Sequence, residues 1–98
     1  MRVRWTKPAI KDLDDIEEYI AEDNIDRALD FIGQLIDLGE SLSEDPERGS
    51  YARWINDKRI RELHYHNYTI IYEILSDEVQ IHEVHNDSKM RKHFMGIE

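Results

Sequence analysis

The sequence predicts an α+β fold in which an N-terminal strand and an antiparallel helical hairpin pack on an antiparallel β-sheet of about four strands. Two observations support this prediction. Residues 7–43 repeat apolar side chains at the 3.6-residue period of a helix, whereas residues 54–85 are rich in β-branched and aromatic residues interrupted by turn sequences. The chain has 98 residues, which suits a single domain spanning 1–98 and is too short for two cores.

Local signals mark the N-terminal strand and the first helix. Residues 1–5 alternate apolar and basic side chains, as a half-buried strand does. Thr6 offers an oxygen that can cap a helix, and Pro8 fits the first turn, so we expect the helix to begin near Lys7. Its apolar stripe consists of Ala9, Leu13, Ile16 and Ile20.

The second helix follows after a very short connection. Asp23 or Asn24 can cap it, and the helical period continues to about Ser43. Two helices joined so closely form an antiparallel hairpin. Gly33 and Gly39 weaken helix propensity, and either can mark a close approach to a neighbouring element. The apolar positions of this helix are Ala28, Phe31, Ile32, Leu35, Ile36 and Leu42.

The second half of the chain reads as strands. Residues 68–75 are apolar on both faces for most of their length, which predicts a central strand covered by the helices. A polar stretch near the C-terminus, 88–94, predicts a short helix preceded by capping residues. The four predicted strands of this half are 54–55, 59–64, 68–75 and 79–85.

Composition excludes several classes of protein. The chain has no cysteine, which removes disulfides and thiolate chemistry and suits the cytoplasm. No apolar run is long enough to span a membrane. The net charge is −9, concentrated in the first half, so we expect no bulk binding of nucleic acid. The sequence indicates no cofactor and no metal.

The chain carries a series of short motifs along its length. They are Val3-x-Trp5-Thr6, Ala9-x3-Leu13-x2-Ile16-x2-Tyr19-Ile20, Ala28-x2-Phe31-Ile32, Pro46-x2-Gly49, Arg61-Glu62-Leu63, Tyr68-x-Ile70-Ile71-Tyr72 and the sequence around Val84 and His85. In this order and at these spacings, the set resembles the RelE/ParE superfamily of toxins from bacterial toxin–antitoxin pairs, which includes proteins of the plasmid-stabilisation type. The resemblance covers roughly residues 2–86.

The resemblance implies a growth-inhibiting toxin that a cognate antitoxin neutralises by wrapping it with a C-terminal segment. ParE-like members poison DNA gyrase, whereas RelE-like members cleave mRNA on the ribosome with a cluster of basic and aromatic residues. This chain has Thr69 where the RelE pattern has an arginine, Glu62 where a lysine is expected, and Phe94 near the position of a tyrosine. The ParE-like interpretation is therefore favoured. A non-toxic interaction module on the same fold is a third alternative.

The candidate site residues apply to the ribonuclease alternative alone. In that case Arg61, His85, Lys89, Arg91 and His93 would line a surface that faces phosphate, and His93 would serve as general base. The resemblance implies a cognate antitoxin as partner, with gyrase or the ribosome as target, and a homodimer is left open.

A pair of histidines offers a second hypothesis. His64 and His66 are two residues apart on a predicted strand edge, where they could ligate a metal ion or act as an acid and a base. No third ligand is suitably spaced, so an ordinary surface pair is the preferred interpretation.

Overall fold

A computed structural model describes residues 1–88, in which two helices lie on one side of a single five-stranded sheet. The elements in chain order are β1 (Arg2–Trp5), α1 (Lys7–Ala21), α2 (Ile25–Glu40), a short 3-10 turn (Ser41–Ser43), β2 (Ser50–Tyr51), β3 (Ile60–Tyr65), β4 (Tyr68–Ile74) and β5 (Glu78–Asn86).

Both helices begin where the capping signals predict. The Thr6 hydroxyl accepts a hydrogen bond from the backbone N–H of Ala9 at 3.3 Å, and a proline occupies the first turn of α1. The Asn24 side chain accepts from the N–H of Arg27 at 3.0 Å, so Asn24 rather than Asp23 caps α2. Each cap satisfies an N–H group that has no partner inside the helix.

The strand order across the sheet is β1-β5-β4-β3-β2. The predicted central strand is confirmed, since β4 is the third of five strands. β2 to β5 pair antiparallel, whereas β1 pairs parallel with β5 and makes the sheet mixed. A bulge lies opposite Ile71 and Tyr72, where His82 of β5 is the extra residue.

One predicted strand is wrong. Residues 54–55 do not pair in the sheet; the strand of this region is β2, and the chain then turns, with the N–H of Ile55 donating to the carbonyl of Ala52 at 3.0 Å. Trp54 and Ile55 instead pack against a small cluster formed by Ala52, Ile60 and Ile71. Burial of these apolar side chains outweighed their strand propensity. The predicted C-terminal helix, 88–94, lies almost entirely outside the described residues.

The main core lies between the helices and the sheet. The predicted apolar positions of both helices face it, except Ile36, which is 37% exposed. Among residues 1–88, no helix is long and apolar enough to cross a membrane. The buried residues of this core are Ala9, Leu13, Ile16, Ile32, Leu35, Leu42, Tyr68, Ile70, Tyr72, Val79, Ile81 and Val84.

Candidate functional site

The two sides of the sheet carry different chemistry. The side that faces the helices includes Ile70 and Tyr72 of the main core. Side chains alternate along a strand, so Thr69 and Ile71 point to the other side, which we call the open side. Residues paired across a ladder share a side, and the register therefore places on the open side Glu62, His64, Glu83 and His85.

Arg61 points toward the helix-facing side because it pairs with Tyr72. Its Nη1 atom donates to the carbonyls of Gly49 at 2.6 Å and Glu47 at 3.2 Å. The guanidinium carbon also lies 4.4 Å from the ring centre of Tyr51, within cation–π range. In the structure, the charge of Arg61 is thus directed at the loop before β2.

Tyr72 holds the same loop from beneath. Its hydroxyl donates to the carbonyl of Pro46 at 2.7 Å and accepts from the N–H of Gly49 at 2.9 Å. Burial raises the pKa of Tyr72, so the hydroxyl keeps the proton that it donates. The loop is packed so tightly that a Cβ on Gly49 would lie 2.8 Å from this hydroxyl. The motif Pro46-x2-Gly49 is therefore held by two strand residues.

His85 lies on the open side and is buried, with its Nδ1 atom 3.3 Å from Glu83 Oε2. The other oxygen of Glu83 is buried and has no hydrogen-bond partner. On β3, His64 Nε2 lies 3.5 Å from Glu62 Oε1, and Glu62 also accepts from the indole of Trp54. Two Glu-x-His pairs thus flank the central strand.

A polar chain connects the Glu62–His64 pair to Asp87, the residue that follows β5. Thr69 donates to Asp87 Oδ1 at 2.7 Å, so its hydroxyl oxygen accepts from His64 Nδ1, which lies 2.9 Å away. This assigns a proton to Nδ1 of His64. Farther along the open side, Glu73 Oε1 and His82 Nε2 are 2.9 Å apart.

The two candidate residues that the structure describes, Arg61 and His85, do not meet in one place. Arg61 and His85 lie on opposite sides of the sheet, and Lys89, Arg91 and His93 lie outside the described residues. Their catalytic roles stay a prediction. The structure adds the two Glu-x-His pairs to these candidates; their signal in the sequence is the repeated pattern Glu-Leu-His and Glu-Val-His.

The predicted histidine pair is separated as well. His66 is in the turn between β3 and β4, with a left-handed φ of 54°, and its ring lies 4.4 Å from that of Tyr65. His64 instead points to the open side. Over the part of the chain that the structure describes, no group of three or more histidine or acidic residues has the arrangement of a metal site.

The outer edge of the sheet at β1 carries the two arginines nearest the N-terminus. Arg2 Nη2 lies 3.0 Å from Glu78 Oε1, and Arg4 Nε lies 3.2 Å from Glu78 Oε2. Gln80 donates to the same carboxylate at 2.6 Å. These hydrogen bonds, that of Gln80 foremost, lower the pKa of Glu78 to about 2.

This pKa implies a dependence of stability on pH. The pKa of Glu78 is about 2 in the folded protein against a reference of 4.5, so its carboxylate stabilises the fold above pH 4.5, and this contribution is lost as the pH falls toward 2. We expect the difference in unfolding free energy between the native protein and Glu78→Gln to be largest near neutral pH and to shrink below pH 4.5. Denaturant unfolding at a series of pH values measures it.

The exposed Glu44 supplies the control for this measurement, because it makes no ion pair within residues 1–88. The unfolding free energy of Glu44→Gln, plotted against pH, should stay parallel to that of the native protein. A constant offset between native protein and Glu78→Gln from pH 7 to pH 2 would contradict the expectation.

The hairpin carries an exposed row of apolar side chains along α2. Ile25, Leu29 and Ile36 are spaced by four and seven residues, which places them on one side of the helix. They are 67%, 57% and 37% exposed. Gly33 lies between them, with open space where a Cβ would be. We call Ile25, Leu29 and Ile36 the α2 stripe.

Two solved structures resemble this fold. The first is the chromosomal ParDE toxin–antitoxin system from P. aeruginosa, with a TM-score of 0.74 and 20% identity over 88% of this chain and 95% of that chain. The second is the toxin–antitoxin complex RelBE2 from Mycobacterium tuberculosis, with a TM-score of 0.65 and 21% identity over 90% of this chain and 92% of that chain. At these identities, the likeness shows a shared fold.

Comparison of the sequence with known protein families identifies the family of this chain. The comparison with curated proteins finds no significant match. Residues 3–90, however, match the family described as the ParE toxin of the type II toxin–antitoxin system, parDE. The match spans almost the whole chain, including both helices, β2 to β5 and all of β1 except its first residue. The chain therefore belongs to the ParE toxin family of type II toxin–antitoxin systems.

Proposed function

We propose that this member of the ParE family inhibits growth by binding DNA gyrase, does no nucleic-acid chemistry of its own, and is neutralised by a cognate antitoxin. The proposal on the target rests on the open side of the sheet. Its central positions hold carboxylates at Glu62 and Glu83, each paired with a histidine on the same strand. Arg61, the cation named as a candidate from the sequence, faces the other way.

This arrangement argues against a ribonuclease because negative charge develops on the phosphate when a phosphodiester is cleaved. A ribonuclease must steady additional negative charge on phosphate, usually with fixed arginine or lysine side chains. Carboxylates at the centre of the open side repel phosphate instead. A protein that acts by binding another protein needs no such cations, which supports the gyrase alternative over ribosome-dependent cleavage of mRNA.

The exposed α2 stripe supports the part of the proposal that concerns the antitoxin. Ile25 and Leu29 expose apolar surface on a chain that is otherwise rich in charge. Exposed apolar rows on a helix are typical of surfaces that receive another protein. An amphipathic antitoxin segment would bury this row, as the antitoxins of this family are expected to do for their toxins.

A supercoiling assay with purified protein and purified gyrase tests the target. We expect the protein to block supercoiling of relaxed plasmid at micromolar concentration, because the dissociation constant of a transient protein complex is on the order of micromolar. Unchanged supercoiling in a large molar excess of the protein would contradict the proposal. Specific mRNA ends in a translation extract, lost in Arg61→Ala or Arg91→Ala, would favour the ribonuclease. Unimpaired growth on expression without an antitoxin would favour the non-toxic module.

The antitoxin is tested with the product of the reading frame beside the gene. We expect it to restore supercoiling to the inhibited gyrase. Leu29→Glu should still inhibit gyrase but escape neutralisation, because a buried unpaired carboxylate opposes docking on the α2 stripe. Ser76→Glu places the same charge in the exposed turn between β4 and β5 and should be neutralised normally. Equal neutralisation of both variants would show that the α2 stripe is not part of the interface with the antitoxin.

A further inference from the structure

Glu83 is a buried carboxylate with one unused oxygen. Its Oε2 atom lies 3.3 Å from His85 Nδ1, whereas Oε1 is buried and has no hydrogen-bond partner among residues 1–88. An acceptor in this position has lost its hydration and receives no donor in its place, which destabilises the fold. Such groups are rare in native proteins, so this exception calls for a physical explanation.

Glu78 shows that this chain can satisfy a buried carboxylate. It lies on the same strand, five residues before Glu83, and the two residues are 7% and 5% exposed. Its oxygens accept hydrogen bonds from the side chains of Arg2, Arg4 and Gln80. Glu83 has no such set of donors within the described residues, which indicates that its donor comes from outside the fold.

A bulge turns Glu83 to the open side. Val79 and Ile81 pack in the main core, and strict alternation along β5 would direct Glu83 there as well. The extra residue of the bulge, His82, reverses the alternation, and Glu83 pairs with Ile71 on the open side. Bulges commonly re-aim a side chain in this way next to functional sites. The pairing of β5 with β1 ends at Ile81, so within residues 1–88 no strand flanks Glu83 on its outer side.

The surroundings of the unused oxygen favour a cationic donor. The register places Glu62, Ile71 and Glu83 in one row across three strands, so two carboxylates flank an apolar residue. Among residues 1–88, His85 is the one group at ion-pair distance from Glu83. A metal ion does not fit, because the described residues include no group of ligands with the arrangement of a metal site.

An arginine side chain has the chemistry that this row lacks. Its guanidinium presents several N–H donors, and it is more weakly hydrated than the ammonium of lysine, so it is better suited to a buried ion pair. Its alkyl stem can pack on the apolar cluster that contains Ile71 and Trp54 while its charge reaches the carboxylates.

We propose that Glu83 binds an arginine side chain of the target protein, with the guanidinium donating to Oε1 and lying between Glu83 and Glu62. His85 holds the carboxylate in place through Oε2. The inference rests on the proposed binding of gyrase by the open side, and it specifies the contact as a protruding arginine of gyrase. It also explains why the chain keeps an acceptor that its own fold leaves unsatisfied.

Denaturant unfolding at pH 7 tests whether the free protein lacks the donor. Glu83→Gln removes the charge and keeps the shape of the side chain, and Glu78→Gln is its matched control on the same strand. We expect the unfolding midpoint of Glu83→Gln to equal or exceed that of the native protein. The midpoint of Glu78→Gln should be lower, because this variant loses charge-assisted hydrogen bonds from two arginines. A loss in Glu83→Gln as large as that in Glu78→Gln would show that Glu83 is already satisfied in the free protein and would overturn the proposal.

Methylguanidinium chloride tests the binding chemistry without gyrase, and methylurea is the neutral control of similar shape. We expect the backbone amide resonances of Glu83 and His85 in the full-length protein to shift saturably with methylguanidinium. The dissociation constant should be on the order of millimolar, because the ligand has few atoms. Methylurea should cause no saturable shift, and Glu83→Gln should weaken methylguanidinium binding about tenfold. Equal binding of the two compounds, or unchanged binding in Glu83→Gln, would overturn the proposal.

The supercoiling assay connects this contact to the target. With variants that circular dichroism shows to be folded, we expect half-inhibition of gyrase by Glu83→Gln to need about tenfold more protein, and by Glu78→Gln about twofold more at most. Native potency in Glu83→Gln would overturn the inference and leave the gyrase proposal intact. Failure of the native protein to inhibit gyrase would contradict the gyrase proposal instead, and the methylguanidinium titration would then decide whether Glu83 binds a guanidinium.

Discussion

Replacing Gly39 with alanine is expected to lower the free energy of unfolding by up to about 2 kcal/mol, as the balance of two opposing effects. Gly39 lies near the end of α2, directly against the indole of Trp5. A Cβ at this position would lie 2.7 Å from Trp5 Cη2 and 2.9 Å from Ile81 Cδ1. Overpacking a core costs about 1–3 kcal/mol and sometimes more, and the better helix propensity of alanine returns about 1 kcal/mol.

Gly33, on the same helix, is the matched control. No atom lies within 4 Å of the position that a Cβ would take there. We expect Gly33→Ala to stabilise the protein by up to about 1 kcal/mol through helix propensity alone. Denaturant unfolding of both variants measures the contrast. Stabilisation of similar size in both would show that Trp5 moves aside at no cost, which would contradict the packing described here.

Removing the hydroxyl of Tyr72 is expected to cost about 1–3 kcal/mol of stability. Phenylalanine would fill the same space but would leave the N–H of Gly49 and the carbonyl of Pro46 without their partner. Unpaired buried backbone groups lose their hydration without compensation. We also expect the amide of Gly49 to exchange faster with solvent in Tyr72→Phe, because the loop before β2 would keep the hydrogen bonds from Arg61 but lose both of those made by Tyr72.

Tyr19→Phe is the control for this measurement, since Tyr19 is 67% exposed. Removal of its hydroxyl should change the unfolding free energy by less than about 0.5 kcal/mol, as is usual for surface substitutions. If Tyr72→Phe were equally neutral, or if exchange of the Gly49 amide were unchanged, the loop would have to be held by contacts other than those of Tyr72.

Much of the fold was predictable because its signals are local. The helical caps depend on residues three positions away, and the apolar stripes of α1 and α2 follow from the period of a helix. The central position of β4 followed from its apolar residues on both faces. The strand predicted at 54–55 was wrong because these residues pack on Ile71, which lies sixteen residues after Ile55 along the chain.

The candidate site was less predictable. Arg61 and His85 both belong to strands, but whether they share a side depends on the register of β3 on β4 and of β4 on β5. A shift of one residue in either ladder would reverse the answer. The bulge at His82 makes such a shift within β5 itself, so a strict alternation counted from Val79 would have placed His85 on the side that faces the helices.

The sequence by itself determined the type and order of the two helices and of strands β1, β3, β4 and β5, the capping of the helices, the family and the absence of thiol chemistry. Only the tertiary structure decided that β1 pairs parallel with β5, that Gly39 rather than Gly33 meets another element, and that Arg61 and His85 lie on opposite sides of the sheet. The physical reason is separation along the chain. Local periodicity and capping are encoded within a few residues, whereas strand register and close approach arise between residues tens of positions apart.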